Sequence, residues 1–248
     1  MAPWRLLDTG ARDGAWNMAL DEALLESVGR AGQGSCLRFY RWEVPTVSLG
    51  YFQRCGDRGT HEPSRSSPLV RRATGGGAIV HDLELTYSYT LAVGLHVGSE
   101  QSALYEAFHT ALVEELTRRG VAARLCRAPP RRPREQEPFL CFQRRAERDV
   151  LVGDAKIAGS AQRRHRGTLL QHGSVLLRRS VAAPELEGIM ELSSVWIDPT
   201  ELAECWSQRV ATSLGLMLHP AEPSACELEA ANRFRRAQFA SPSWTNRR

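Results

Sequence analysis

The sequence predicts a mixed β-sheet covered by helices, an α/β (α+β) chain rather than a regular βαβ repeat. Three observations carry this. Strand-like segments dominate the middle of the chain, helical periodicities flank them at both ends, and the two kinds of element do not alternate one for one. A length of 248 residues suits a single core near its upper size, so residues 1–248 read as one domain, with 225–248 a terminal helix and tail.

The first helix spans about 15–28, AWNMALDEALLESV. Ala15, Ala19, Leu20, Ala23 and Leu24 share a face, Asp13 is placed to cap it, and Gly29 and Gly32 follow its end. CLRFYRW (36–42) and TVSLGYF (46–52) read as strands parted by Pro45, and GDRGTHEPSRSSP (56–68) as loop. In LTYSYTLAV the residues Leu85, Tyr87, Tyr89, Leu91 and Val93 alternate, which predicts a half-buried strand. A second helix covers about 101–118, with Leu104, Ala107, Phe108, Ala111, Leu112 and Leu116 as its stripe and Gly120 as its stop. APPRRPREQEP (128–138) is a proline- and charge-rich connection. Strand-like DVLVG (149–153), KIAG (156–159) and TLLQHGSVLL (168–177) follow, with turn glycines at 153 and 167. Asp198-Pro199 opens a helix to about 214, and Ser224 with Glu227 has capping-box spacing for another over 225–238.

Composition narrows the function classes. Hydrophobic residues make up 42% and charged residues 24%, ordinary values for a globular chain. No run of eighteen apolar residues exists, and the start, MAPWRLLDTGARDG, has no apolar signal core; the expectation is a cytoplasmic protein without a membrane span. Cys36, Cys55, Cys126, Cys141, Cys205 and Cys226 include no CxxC pair, which speaks against a zinc site or a disulfide framework. Net charge is +4, and of the 32 basic residues only Lys156 is a lysine. An ammonium is compact and tunable where a guanidinium is broad and permanently charged. Composition leaves open whether Lys156 is kept for that chemistry or is one surface residue among many.

Three stretches carry candidate chemistry. In RRATGGGAIVHD (71–82), three glycines let the backbone approach a ligand and present amides to it, with Arg72, His81 and Asp82 alongside. The pattern is neither GxxxxGK[ST] nor GxGxxG, so it is not a nucleotide fingerprint. In PFLCF (138–142), Cys141 is either an inert apolar cysteine or a nucleophile, and a nearby cation would decide. GDAKIAGSAQRRHRGTLLQHGSVLL (153–177) supplies the lysine, a small-residue GSAQ turn, and a His172-Gly173 pair in an apolar strand. That pair marks a cleft, unless His172 faces solvent on an edge strand. RRPR (131–134), RRHR (163–166) and RFRR (233–236) form basic patches, but a net +4 without interleaved aromatics argues against a nucleic-acid binder.

Taken in order, RRATGGGAIVHD, LELTYS, CF, AKIAGSAQRR and LLQHGSVLL resemble the biotin/lipoate protein ligase-like acyltransferases. Within them the chain is similar to the octanoyltransferases of the LipM type, from WNMALDEALL and RFYRWEVPTVSLGYFQ through to FASPSW. The resemblance implies the biotin/lipoyl protein ligase-like catalytic fold, a mixed sheet flanked by helices. It implies that Cys141 is the acyl-thioester nucleophile and that Lys156 lowers its pKa. Arg72, Gly75, Gly76, Gly77 and His81 then line the acyl pocket, with Gly159, Ser160, Ala161, His172 and Gly173 as its other walls. No metal and no cofactor are implied, only octanoyl-acyl carrier protein as acyl donor. The implied partners are acyl carrier protein and lipoyl-domain proteins, the glycine cleavage H protein or a 2-oxoacid dehydrogenase E2, met by a monomer through its arginine patches. Two departures bear on this. Gly77 stands where arginine is common, and Ala155 where a second basic residue is common. TGGGAIVHD is equally at home in ATP-dependent lipoate-protein ligases, so a single-domain ligase or a lipoyl/octanoyl amidotransferase stays as the alternative. The end of the chain at 248, short of the second domain of bipartite ligases, favours the transferase.

Overall fold

The computed structural model describes residues 3–30, 34–93, 98–128, 133 and 137–248. Its strands are β1 (Trp4–Arg12), β2 (Cys36–Trp42), β3 (Thr46–Leu49), β4 (Leu69–Arg71), β5 (Ile79–His81), β6 (Glu84–Ala92), β7 (Ala123–Leu125), β8 (Val150–Val152), β9 (Ala155–His165), β10 (Thr168–Leu176) and β11 (Leu218–Pro220). The helices are α1 (Gly14–Val28), α2 (Gly98–Arg118), α3 (Ile189–Ser193), α4 (Pro199–Leu214), α5 (Ala225–Phe234) and α6 (Pro242–Thr245).

Among the described residues, eight strands form one sheet in the order β11-β1-β2-β6-β10-β9-β8-β7, and β4-β3-β5 form a smaller one. β1 runs parallel to β2 and β11, while the pairs from β2 through β7 are antiparallel, so the sheet is mixed as the element order predicts. On one face α2 and α4 lay Phe108, Leu112, Leu116, Trp206 and Val210 over Leu37, Phe39, Leu85, Tyr87 and Tyr89. On the other, Leu20, Ala23 and Leu24 of α1 pack with Leu7, Cys36, Ala230 and Ala231. Both faces being covered, β6 is buried from Glu84 to Thr90 rather than half-buried as its alternation suggests. Its second face is polar because α1 presents polar groups to it: Ser88 donates to Asp21 at 2.7 Å.

Local signals place α1 and α4 within a residue. Asp13 accepts from Trp16 N–H to cap α1, and Asp198 accepts from Thr200 and Glu201 N–H to cap α4. Other boundaries move. The strand expected over 46–52 stops at Leu49, because the chain at Gly50 runs against the Gly76 carbonyl with no room for a Cβ. The segment expected as loop over 56–68 overlaps two short 3-10 turns, Cys55–Thr60 and Glu62–Ser64. The helix expected over 225–238 ends at Phe234 and passes into a π turn, Arg235–Phe239. GSAQ is not a turn but the middle of β9, and β10 is interior to the sheet, so His172 is not on an edge. β1, β4, β5 and β7 carry no period-2 signal strong enough to read; pairing with neighbours makes them strands. Most of the 128–138 connection, and the RRPR patch apart from Pro133, lie outside the described residues. In the other patches Arg163 pairs with Glu22, Arg233 with Glu26 and Arg235 with Asp13.

Candidate active site

The interior strands converge on one cleft. Cys141 opens a one-turn 3-10 helix directly after Leu140, which bridges to Ala78 just beyond the glycines. The Cys141 N–H donates to the Ala78 carbonyl at 2.7 Å, and the Ala78 N–H donates to Phe139 at 3.0 Å. This bridge between Ala78 and Leu140, far apart in the chain, is what brings the sulfur to the glycine loop. Gly76 has φ +99°, a conformation side chains rarely adopt, and a Cβ there would stand 3.9 Å from the Cys141 sulfur. β9 supplies Lys156, whose Nζ lies 4.0 Å from that sulfur. Cys141 is half-buried and Lys156 is buried.

The ammonium has a second partner that no sequence signal identified. Asp149, just ahead of β8, places Oδ2 at 2.9 Å from Lys156 Nζ and takes the Ala146 N–H at 2.6 Å. Burial would push the lysine pKa down, but its interactions with Cys141 and Asp149 more than offset it, and the pKa ends above the ordinary lysine value. Lys156 is therefore a cation at neutral pH. Gly159 makes the space for it: a Cβ there would fall 2.6 Å from Nζ and 2.9 Å from Asp149 Oδ1.

A cleft opens beside the sulfur. Its lining includes Arg72, Gly75, Gly76, His81, Cys141, Lys156, Gly159, Ser160, Ala161, His172 and Gly173, so the structure gathers these residues from all three stretches of sequence. Gly77 is the exception. It is buried behind the lining, with the Arg144 guanidinium packed where its side chain would project. Met18, Tyr40, Ile79, Thr86, Phe142 and Ser174 complete the wall without having been singled out. Their signal was weak because each reads as ordinary core.

Two buried relays set the loop. Arg72 donates to the carbonyls of Gly75 and Gly77 and, through Nη1, to Ser48 Oγ; Ser48 meets His81 Nε2 at 2.7 Å, and His81 Nδ1 meets Glu84 at 2.7 Å. Burial lowers the His81 pKa, and its ring stacks on Trp42 at 3.8 Å. Arg72 thus lines the cleft with both Nη atoms engaged and Nε unpartnered among the described residues, and His81 with both ring nitrogens engaged. The second relay runs from Thr74 Oγ1 to His172 Nε2 at 2.6 Å, then from His172 Nδ1 to Asp21 at 3.4 Å. Asp21 also accepts from Arg38, Tyr40 and Ser88. A polar pair in an apolar strand did mark a cleft; its hydrogen bonds are what make it tolerable to bury.

The model of the lipoyl protein ligase A/B catalytic domain matches residues 13–193, well over half of the chain. The chain belongs to that family. An octanoyltransferase LipM from Kyrpidia tusciae is 32% identical over 277 aligned positions, covering all of both chains. One from Symbiobacterium thermophilum is 34% identical, covering 99% of this chain and 98% of the relative. Solved structures share the fold. A putative lipoate protein ligase from T. acidophilum with bound lipoic acid superposes with a TM-score of 0.78 at 21% identity, covering 99% of this chain and 100% of the other. A lipoate-protein ligase A bound with ATP gives 0.77 at 21% identity, with 99% of each chain covered. Among the described residues no cluster of three or more His, Cys, Asp or Glu is arranged to hold a metal, and no helix is long and apolar enough to cross a membrane.

Proposed function

We propose that this acyltransferase moves an octanoyl group from octanoyl-acyl carrier protein to the acceptor lysine of a lipoyl domain, through a thioester on Cys141. The observation that carries this reading is the Lys156 ammonium, 4.0 Å from a half-buried cysteine sulfur at an apolar cleft. A cation at that distance favours the thiolate, the nucleophilic form.

In the first half-reaction the thiolate attacks the thioester carbonyl, the carrier's thiolate leaves, and a proton restores it to the thiol. The bond formed and the bond broken are both thioesters, so the exchange needs no nucleotide. In the second, the neutral lysine amine of the lipoyl domain attacks the Cys141 thioester, loses a proton, and expels the Cys141 thiolate. An amide replaces a thioester, which runs downhill. Splitting the transfer in this way is covalent nucleophilic catalysis. Lys156 is also the nearest cation for the oxyanion of each tetrahedral intermediate. Gly76 leaves room for the carbonyl because it brings backbone, not side chain, to the sulfur. Arg72 and His172 hold that loop in place from behind.

The same reading treats residues 1–248 as one catalytic unit, monomeric and cytoplasmic, that works without metal or bound cofactor. Each of the six cysteines is free, which fits a reducing compartment. Intact-protein mass spectrometry after mixing with octanoyl-acyl carrier protein tests it. The expected result is one octanoyl adduct without ATP, discharged by a lipoyl domain. An acyl product that forms only from free octanoate or lipoate with ATP would make the chain a ligase instead.

A further inference from the structure

His109 on α2 is fully buried and has no part in the transfer described above. Its Nδ1 lies 2.6 Å from the Arg148 carbonyl oxygen, and its Nε2 lies 2.7 Å from Ser160 Oγ. A carbonyl only accepts, so Nδ1 carries the proton and Nε2 accepts from the serine hydroxyl. Burial pushes the imidazole pKa down to about 4, so at neutral pH the ring is neither a cation nor an effective base. The ring therefore acts as a two-ended strut.

One end holds an unusual piece of backbone. Arg148 has φ 69°, a left-handed conformation uncommon for a residue with a side chain. Its N–H donates to the Cys126 carbonyl at 2.7 Å while its own carbonyl is taken by His109. That turn directs the next residue, Asp149, inward to Lys156 at 2.9 Å. The other end of the strut is Ser160, four residues along β9 from Lys156 and itself hydrogen-bonded to Tyr87 at 2.8 Å. We propose that His109 is a positioning residue: it anchors the Arg148 turn to α2, and thereby fixes the Asp149–Lys156 pair against the Cys141 sulfur. This rests on the thiolate reading above.

The charged and titratable groups around the sulfur are Lys156 from β9, Arg72 behind the glycine loop, Tyr105 from α2, Arg144 from the cysteine's own turn, and Asp149 across Lys156. Of these, Asp149 is the group that the Arg148 turn places. When the turn relaxes, the ammonium follows Asp149 away from the sulfur, and the thiolate loses its nearest cation.

Asparagine and glutamine separate the two ends of the strut, because the Asn amide overlays Nδ1 and the Gln amide overlays Nε2. His109→Asn keeps the tie to Arg148 and should leave the pH profile of Cys141 alkylation close to wild type. His109→Gln keeps the serine contact and loses the tie, and should move the profile alkaline by about one pH unit, a tenfold loss of thiolate at fixed pH. Arg148→Pro, on a half-exposed loop, reaches the same turn without touching the buried ring. It forbids positive φ, removes the N–H bonded to Cys126, and should give the same alkaline shift. A profile unmoved or moved acid in His109→Gln or Arg148→Pro, or one moved as far in His109→Asn, overturns the proposal. Alkylation needs no acyl donor. Failure of wild-type octanoyl transfer would therefore count against the function, whereas matching profiles in an active enzyme count only against His109.

Discussion

Asp149 holds Lys156 at 2.9 Å, closer than the 4.0 Å between the same ammonium and Cys141. Both members of the pair are buried, so neither charge can be satisfied by water if the other is removed. The ion pair keeps the lysine charged and places it, and the sulfur receives the remaining field. The following expectations depend on this order of partners.

Lys156→Arg keeps the charge and changes its shape. The planar fork cannot fit the space that Gly159 leaves for a slim ammonium, and a cation misplaced by about 1 Å can cost on the order of a hundredfold in rate. Lys156→Ala should go further. It moves Cys141 alkylation to higher pH and, by stranding a buried Asp149, destabilises the fold by about 3–5 kcal/mol. Alkylation profiles, transfer rates and denaturant melts on the three proteins separate these effects. Superimposable profiles with unchanged rates would leave Lys156 a bystander.

Gly159→Ala should damage activity much more than stability. The new methyl meets only side-chain ends, Lys156 Nζ and Asp149 Oδ1, which can shift together as a pair, and Gly159 is not among the positive-φ glycines. The fold should survive while the ammonium leaves the sulfur, with a loss of transfer on the order of a hundredfold. A variant that melts early and yet transfers normally would contradict this.

Cys141→Ser should abolish the acyl adduct and leave the melting curve nearly unchanged, since the swap is close to isosteric at a half-buried position. Peptide mapping of the wild type should find the octanoyl group on Cys141. A label on Cys205 or the exposed Cys226 would reassign the nucleophile.

Asp21 links stability to pH. Burial would raise its pKa, but Arg38, His172 and Ser88 outweigh that and hold the carboxyl below its ordinary value. The unfolded chain then binds the proton more readily than the folded one. The stabilisation is complete above about pH 4 and is lost as pH falls through the folded-state value. Asp21→Asn should flatten this acid limb in thermal melts. It should also cost about 3–5 kcal/mol at neutral pH, because fully buried Arg38 loses its counter-ion. An acid limb as steep in the variant as in wild type would place that linkage elsewhere.

Local sequence carried the mixed sheet, α1 and α4 with their caps, and the three stretches that meet at the cleft. These rest on local physics: periodicity, capping residues, glycines at tight backbone approaches, and a single lysine in an arginine-rich chain. It did not determine which charges meet. Asp149 looks like any acid at the start of a strand, and Asp21 like any polar residue on a helix, until the fold buries them against Lys156 and Arg38. His109 lies beside the apolar stripe of a helix, and only the fold brings the Arg148 carbonyl and Ser160 to its ring. Gly77 shows the reverse. Its motif assigns it to the pocket wall, but the Arg144 guanidinium, arriving from another segment, packs over it. Ion pairs and close approaches between residues distant in sequence depend on strand register and layer packing, and no local pattern encodes them. That is why the tertiary structure decided the electrostatics of the site while the sequence had already supplied its parts.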